Sequence, residues 1–124
     1  MTVDSSVLLA VLFAEPQMAW AEAQLQAAAG RLVMSTVNLS EVLIRLKDRR
    51  VPDYSEVEAA LLNSGIQFIP PDVHQARIAA QARLDFPLNL GDCFAYALAK
   101  TMDCPILTLD RDFRATDAAT VSPP

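Results

Sequence analysis

Short apolar runs alternate with longer segments of helical pattern along this chain. The apolar runs predict strands at residues 1–4, 31–35, 66–69 and 105–109, with a short final strand at Val121. Helical patterns between them cover residues 6–13, 17–29, 52 to 63–65, 72–83 and 89–102, and one more helix opens at Thr36 or Asn38 and runs to Arg50. Strands that alternate with helices are typical of parallel crossovers. The sequence therefore predicts an α/β fold, a short parallel sheet with helices on both faces.

Cap and turn residues indicate where the first helices begin and end. Ser5 and Ser6 are expected to cap the first helix, which is apolar on every side and is therefore predicted to be buried. Pro16 breaks that helix, and Gly30 is a natural C-terminal stop for the second.

Length and composition limit the class of protein. The chain has 124 residues, 52% of them hydrophobic and 20% charged, which indicates one globular domain spanning residues 1–124. Its longest apolar stretch, residues 7–14, is far shorter than the roughly 20 residues that span a bilayer. The first residues also lack the basic region of a signal peptide. We therefore expect a soluble, cytoplasmic protein with no membrane contact.

The residue types available for chemistry are few. Cys93 and Cys104 have no spacing suited to zinc or redox chemistry and are expected to be reduced thiols, and His74 is the only histidine. A pair of catalytic histidines is excluded, so carboxylates would have to carry any hydrolysis. The net charge of −5, from 15 acidic and 10 basic residues, argues against strong non-specific binding of nucleic acid unless a basic stripe or a metal offsets it.

Four carboxylates fall where a parallel sheet would bring them together. Asp4 and Asp110 follow two predicted strands, whose carboxyl ends share one edge of the sheet. Glu41 lies in the first turns of a helix, and Asp92 opens another. Such a cluster would repel itself unless a cation were bound. Oxygen ligands without histidine or cysteine favour Mg²⁺ or Mn²⁺ over zinc.

Each acid also has a purely structural interpretation. Asp4 could accept hydrogen bonds from the following helix, Asp92 could be an acid in a helix capped by Asn89, Glu41 could close a capping box with Asn38, and Asp110 could form a turn with Arg111. Those interpretations are reasonable one at a time. Only a shared site explains both acids at strand ends.

Four short blocks stand out along the chain: VDSSVLLA at 3–10, NLSEV at 38–42, LGDCFAYALA at 90–99 and ILTLDRDF at 106–113. By these blocks and their order, the sequence resembles the PIN-domain ribonucleases, in particular the VapC toxins of bacterial toxin–antitoxin pairs. The resemblance covers essentially the whole chain. One such block is a weak signal, whereas four in order are a specific one.

The resemblance implies a Mg²⁺-dependent endoribonuclease that forms a homodimer and is inhibited by a VapB-type antitoxin. By the family pattern the metal-binding acids are Asp4, Glu41, Asp92 and Asp110. Three further residues match positions that contribute in some members: Ser6 and Thr108, which would support the site, and Asp112, a possible additional ligand.

Basic and apolar residues suggest contacts with RNA and with a partner. Arg111 and Arg114 are close in sequence to Asp110 and are well placed for phosphate. Arg45 and Lys47, at the end of the Glu41 helix, could contact the RNA backbone but are better explained by a solvated helix end. Phe13 and Trp20 are expected in the core or against an antitoxin helix. His74 is expected on an exposed helix face without a catalytic role.

Three alternatives have different weights. A phospho-receiver domain would need paired acids after its first strand and a lysine near the end of its last, but Ser5 and Ser6 follow Asp4 and no lysine follows Lys100. A haloacid-dehalogenase-like phosphatase would need an acid at the position of Ser6. A non-catalytic PIN-like binding module stays open and ranks below the nuclease because all four acids are present.

Overall fold

Five short strands form one parallel sheet in the computed structural model, which describes all residues from 1 to 124. The strands are β1 (Thr2–Val3), β2 (Val33–Ser35), β3 (Gln67–Ile69), β4 (Ile106–Leu107) and β5 (Thr120–Val121). Their order across the sheet is β3-β2-β1-β4-β5, and every neighbouring pair is parallel. The predicted α/β class, parallel sheet and final strand at Val121 are confirmed.

Six α-helices and one 3₁₀ helix connect the strands. The α-helices are α1 (Ser5–Leu12), α2 (Met18–Ala27), α3 (Thr36–Asp48), α4 (Tyr54–Leu62), α5 (Val73–Asp85) and α6 (Leu90–Met102). The 3₁₀ helix covers Arg111–Ala115. Side-chain oxygens of Ser35, Asp72 and Asn89 accept backbone N–H groups at the starts of α3, α5 and α6. None of these helices combines the length and the apolar character that a membrane span requires.

The sheet separates two apolar cores. Side chains of successive strand residues point to opposite faces, and in β4 Ile106 belongs to one core and Leu107 to the other. The core that holds Leu107 takes side chains from α1, α2, α3 and α4, whereas the core that holds Ile106 takes them from α5 and α6. Helices therefore cover both faces, as predicted.

Strand β4 is shorter than predicted. We expected residues 105–109, but the strand ends at Leu107 and Asp110 follows it only after two further residues. The N–H groups of Leu109 and Asp110 donate to the hydroxyls of Ser6 and Thr108 at 3.0 and 2.8 Å. Because side-chain acceptors take these donors, the chain leaves the sheet early and enters the 3₁₀ helix, which the sequence did not predict.

Helix α1 also differs from the prediction. It begins at Ser5, and Asp4 occupies the N-cap position without a side-chain hydrogen bond to the helix backbone, so capping by Ser5 and Ser6 is wrong. Its burial is incomplete: Val7, Leu8 and Ala10 are buried, but the side chains of Leu9, Val11 and Leu12 are half-buried. An all-apolar helix here keeps one face partly open to solvent.

Candidate functional site

The four predicted acids converge at the carboxyl edge of the sheet. Asp4 follows β1 directly and Asp110 lies in the loop after β4, the strand that pairs with β1. Glu41 is in the second turn of α3, which starts where β2 ends, and Asp92 is in the first turn of α6. The negative charges of Asp4, Asp110 and Glu41 all raise the pKa of Asp92, so the four groups act on one another electrostatically.

Asp4 is almost completely buried, with 2% of its surface exposed. Its Oδ2 accepts hydrogen bonds from Ser6 Oγ at 2.7 Å and Thr108 Oγ1 at 2.9 Å, but Oδ1 is buried without any partner. Burial raises the pKa of Asp4, and the two hydrogen bonds oppose that shift. A buried carboxylate oxygen without a partner is costly, which makes Oδ1 an acceptor suited to a bound cation.

Ser6 and Thr108 link this acid to the loop that carries Asp110. Each hydroxyl donates to Asp4 and accepts a backbone N–H, Ser6 from Leu109 and Thr108 from Asp110. The two supporting positions inferred from the resemblance therefore both bond to Asp4 and to the loop that carries Asp110. Together they hold the loop after β4 against β1.

Asp92 is the second buried acid. The side chain of Asn89 accepts its backbone N–H at 2.8 Å, as the capping interpretation expected, but its own Oδ2 is buried without a partner. Burial first, and then the charges of Asp4, Asp110 and Glu41, raise the pKa of Asp92 to about 7. Capping by Asn89 thus accounts for the backbone of Asp92 and not for its carboxylate.

Glu41 is held by Asn38, which the sequence paired with it only as part of a capping box, and by Gly91, which the sequence did not single out. The amide of Asn38, fully buried, donates to Glu41 Oε1 at 2.8 Å and to the carbonyl oxygen of Gly91 at 3.0 Å. A Cβ on Gly91 would lie 2.5 Å from Glu41 Cδ and 2.6 Å from Oε1, so only glycine leaves room for this carboxylate. Asn38 neither opens the helix nor forms a backbone capping box with Glu41, because Ser35 caps α3.

Asp112 lies closer to the other acids than its position in the sequence suggested. Carboxylate oxygens of Asp92, Asp110 and Asp112 lie within 4.8 Å of one another. Mg²⁺ binds oxygen at about 2.1 Å, so opposite ligands are about 4.2 Å apart. Small side-chain movements would therefore bring these three oxygens to one ion. The N–H of Asp112 also donates to Asp110 Oδ1 at 2.8 Å.

The predicted basic contacts divide into two groups. Arg111 and Arg114 are exposed and line a small cleft together with Asp110. Arg45 and Lys47 are exposed in the last turns of α3, where the Lys47 ammonium lies 4.2 Å from the centre of the Tyr54 ring. This cation–π contact gives Lys47 a structural role.

Three other predictions concern side chains outside the acid cluster. His74 is exposed on α5, as expected. Phe13 and Trp20 are half-buried against the core on the α1 side of the sheet. Cys93 and Cys104 are both free thiols.

Comparisons with known proteins agree with this geometry. The family model of the PIN domain matches residues 1–119. Ribonuclease VapC30 of Mycobacterium tuberculosis is 34% identical over 132 aligned residues, which include all of both chains, and Ribonuclease VapC42 of the same organism is 34% identical over 94% of this chain and 95% of its own.

Solved structures show the same fold. Mycobacterium tuberculosis VapC20, described as a toxin that cleaves the sarcin–ricin loop, superposes with a TM-score of 0.81 at 19% identity over 98% of both chains. A toxin–antitoxin complex from Klebsiella pneumoniae gives a TM-score of 0.79 at 22% identity over 98% of this chain and 95% of the other.

Proposed function

This chain belongs to the PIN-domain family and is related throughout its length to VapC ribonucleases, and on that premise we propose that it is a metal-dependent endoribonuclease, the toxin of a toxin–antitoxin pair. One observation carries the metal dependence. Asp4 and Asp92 each keep a buried carboxylate oxygen without a partner, at a sheet edge where two further acids converge. A divalent cation would give both oxygens the partner they lack.

The donor set determines which cation fits. Asp4, Glu41, Asp92 and Asp110 would hold the ion, and Asp112 would contribute directly or through a water. All of these donors are carboxylate oxygens, which suit Mg²⁺ and also Mn²⁺. When bound, such an ion polarises the phosphodiester and promotes in-line attack by water.

The other residues of the site position these acids. Ser6 and Thr108 orient Asp4, whereas Asn38 and Gly91 orient Glu41. No protein nucleophile is required for hydrolysis by water, which agrees with the exposed position of His74 on α5. Arg111 and Arg114 are proposed to contact RNA beside the acids, with Arg45 and Lys47 as weaker candidates at the end of α3.

The cleavage test compares two proteins that differ in one charge. Purified protein stripped of metal should cleave RNA only after Mg²⁺ or Mn²⁺ is added, and excess EDTA should abolish cleavage. Glu41→Gln keeps the size of the side chain, so it should leave the thermal unfolding temperature nearly unchanged and reduce cleavage by orders of magnitude. Undiminished cleavage in EDTA would refute the mechanism.

The alternatives differ from the nuclease in what this test would measure. A non-catalytic PIN-like binding module would bind RNA without metal-dependent cleavage, and Glu41→Gln would change nothing except local charge. The phospho-receiver alternative is disfavoured by the match to the PIN domain over residues 1–119. Cleavage that requires both the metal and Glu41 would exclude both alternatives.

We further propose a VapB-type antitoxin as partner. An apolar hollow of about 340 Å³ lies between α1 and α4, lined by side chains that include Val11, Leu12, Val57 and Leu61. The apolar face of an amphipathic helix would fit there. Co-expression with the antitoxin should relieve toxicity in bacteria, and Leu12→Glu should prevent that relief.

We also propose a homodimer. Its interface is placed on α5 and α6, since Val73, Leu84 and Leu90 expose 70%, 80% and 71% of their surfaces. Sedimentation that remains monomeric at all concentrations would refute it.

A further inference from the structure

A small cleft lies beside the acid cluster at the carboxyl edge of the sheet. Because β4 and β5 are parallel neighbours, the loop after β4 and the tail after β5 leave the sheet at the same edge. Between them is a cleft of about 100 Å³, which we call the arginine cleft. It is lined by Gln17, Leu109, Asp110, Arg111, Arg114, Ser122 and the Pro123–Pro124 pair. Asp110 belongs to both the cleft and the acid cluster, so the two are contiguous.

The two arginines of the cleft have no partner within the protein. Arg111 and Arg114 are exposed, and neither side chain makes a hydrogen bond or an ion pair. The only salt bridge of the chain joins Lys100 to Asp117 elsewhere, at 3.1 Å. Both guanidinium groups therefore keep their donors free, although Arg111 stands directly between Asp110 and Asp112 in the sequence. One guanidinium group matches the geometry of a phosphate and can donate hydrogen bonds to two of its oxygens.

The lining of the cleft favours a phosphate over a base. Sites that stack bases present aromatic rings, and no aromatic residue lines this cleft. Most of its lining is polar, and the Pro123–Pro124 pair forms a wall of limited backbone freedom. These features suit a compact anion that is held in one position within the cleft.

Position and charge together assign the cleft to the substrate. We propose that Arg111 and Arg114 bind the RNA backbone phosphate next to the one that is cleaved, and so set the register of the strand across the acids. This inference rests on the proposed ribonuclease function. An RNA strand that approaches five carboxylates meets strong repulsion, and an adjacent pair of free cations offsets that repulsion at one defined phosphate.

The test pairs a change in the protein with a change in the RNA. The protein variants are Arg111→Gln with Arg114→Gln, and as a matched control Arg77→Gln, which removes an exposed arginine on α5. The substrates are one oligonucleotide series in which a single neutral methylphosphonate replaces each phosphate near the cleaved bond in turn. KM, kcat, Mn²⁺ affinity and the salt dependence of KM are measured for every pair.

The expected result is a rise in KM when one particular RNA phosphate is made neutral, and this rise should require the two arginines. With wild-type protein, one methylphosphonate next to the cleaved bond should raise KM about tenfold, and the double variant should no longer respond to it. The double variant should raise KM for the natural RNA by a similar factor, lower the slope of log KM against log salt by about one to two, and leave kcat and Mn²⁺ affinity unchanged. Arg77→Gln should behave as wild type.

Two outcomes would overturn the inference. One is a rise in KM on methylphosphonate substitution that is the same in the double variant as in wild type at every position. The other is an Arg77→Gln variant that changes KM as much as the double variant does. Binding of the same oligonucleotides to Glu41→Gln, followed by fluorescence anisotropy with and without the two arginine substitutions, tests the cleft without turnover. A wild-type protein that binds with this pattern but never cleaves would refute the proposed ribonuclease and leave the phosphate subsite standing.

Discussion

Replacing Gly91 by alanine should inactivate the enzyme without unfolding it. The added Cβ would lie 2.5 Å from Glu41 Cδ and 2.6 Å from its Oε1, where ordinary contacts are 3.4–4 Å. The helix backbone around Gly91 is rigid, whereas the carboxylate is the flexible end of the Glu41 side chain. The carboxylate would therefore have to move by about 1 Å. That movement would disrupt the 2.8 Å hydrogen bond from Asn38.

The effects on stability should nearly cancel. Alanine is favoured over glycine in a helix by up to about 1 kcal/mol, and Gly91 has an ordinary negative φ that alanine accepts. The weakened hydrogen bond should cost about 0.5–1.5 kcal/mol. We expect a net change in the free energy of unfolding of about 1 kcal/mol or less. Misplacing a catalytic group by about 1 Å can reduce rate about 100-fold, so cleavage should fall by about that factor.

The assay measures three quantities on the same preparation: unfolding in urea, Mn²⁺ affinity by calorimetry, and RNA cleavage at saturating Mn²⁺. Gly65→Ala is the control, because Gly65 has nothing within 4 Å of the added Cβ but has a φ of +89°. It should lose stability and keep metal binding and cleavage. If Gly91→Ala retained wild-type Mn²⁺ affinity and cleavage, the position of Glu41 would not matter for function.

Three further predictions test other parts of the site. In the metal-free protein, the pKa of Asp92 is raised from the ordinary 3.8 to about 7, so the folded state keeps a proton that the unfolded state has lost. The stability from this group is therefore present at low pH and is lost as pH rises through about 7. Urea unfolding should show a larger loss of stability from about pH 5 to about pH 8 in wild type than in Asp92→Asn, and equal losses would refute this. Asp110→Asn should weaken Mn²⁺ binding more than Asp112→Asn, because Asp110 is half-buried and its charge raises the pKa of both Asp4 and Asp92, while Asp112 is exposed. A larger loss of Mn²⁺ affinity for Asp112→Asn in calorimetry would contradict this ranking. Thr108→Val keeps the shape of a fully buried side chain but removes its hydrogen bonds to Asp4 and to the N–H of Asp110. Thermal unfolding should show that the free energy of unfolding falls by about 1–3 kcal/mol. An unchanged melting temperature would contradict this.

The sequence predicted those features that depend on neighbouring residues. Apolar runs and helical patterns identified the elements, and acids directly after strands pointed to one edge of a parallel sheet. Asn89 was recognised as a cap because its partner Asp92 is three residues away. The early end of β4 was not predicted, since it depends on Ser6, a residue more than a hundred positions away that accepts the N–H of Leu109.

The positioning of Glu41 was not predictable for the same reason. Asn38 and Gly91 are 53 residues apart and meet only in the folded chain. Asparagine three residues before a glutamate is a common capping pattern, so the sequence suggested only a local role for Asn38, and it gave no signal for the role of Gly91. The closeness of Asp112 to Asp92 likewise depends on the 3₁₀ helix, whose short length leaves no periodic signal.

The two outer strands of the sheet are blocked at their carboxyl ends against pairing with other chains. β3 has three residues and is followed directly by Pro70–Pro71, while β5 has two residues and is followed, after Ser122, by Pro123–Pro124. Proline has no N–H to donate, so neither strand can be extended into a longer pairing surface. Such edges are poor templates for aggregation. The sheet therefore offers only a short strand edge, on either side, to another copy of this chain.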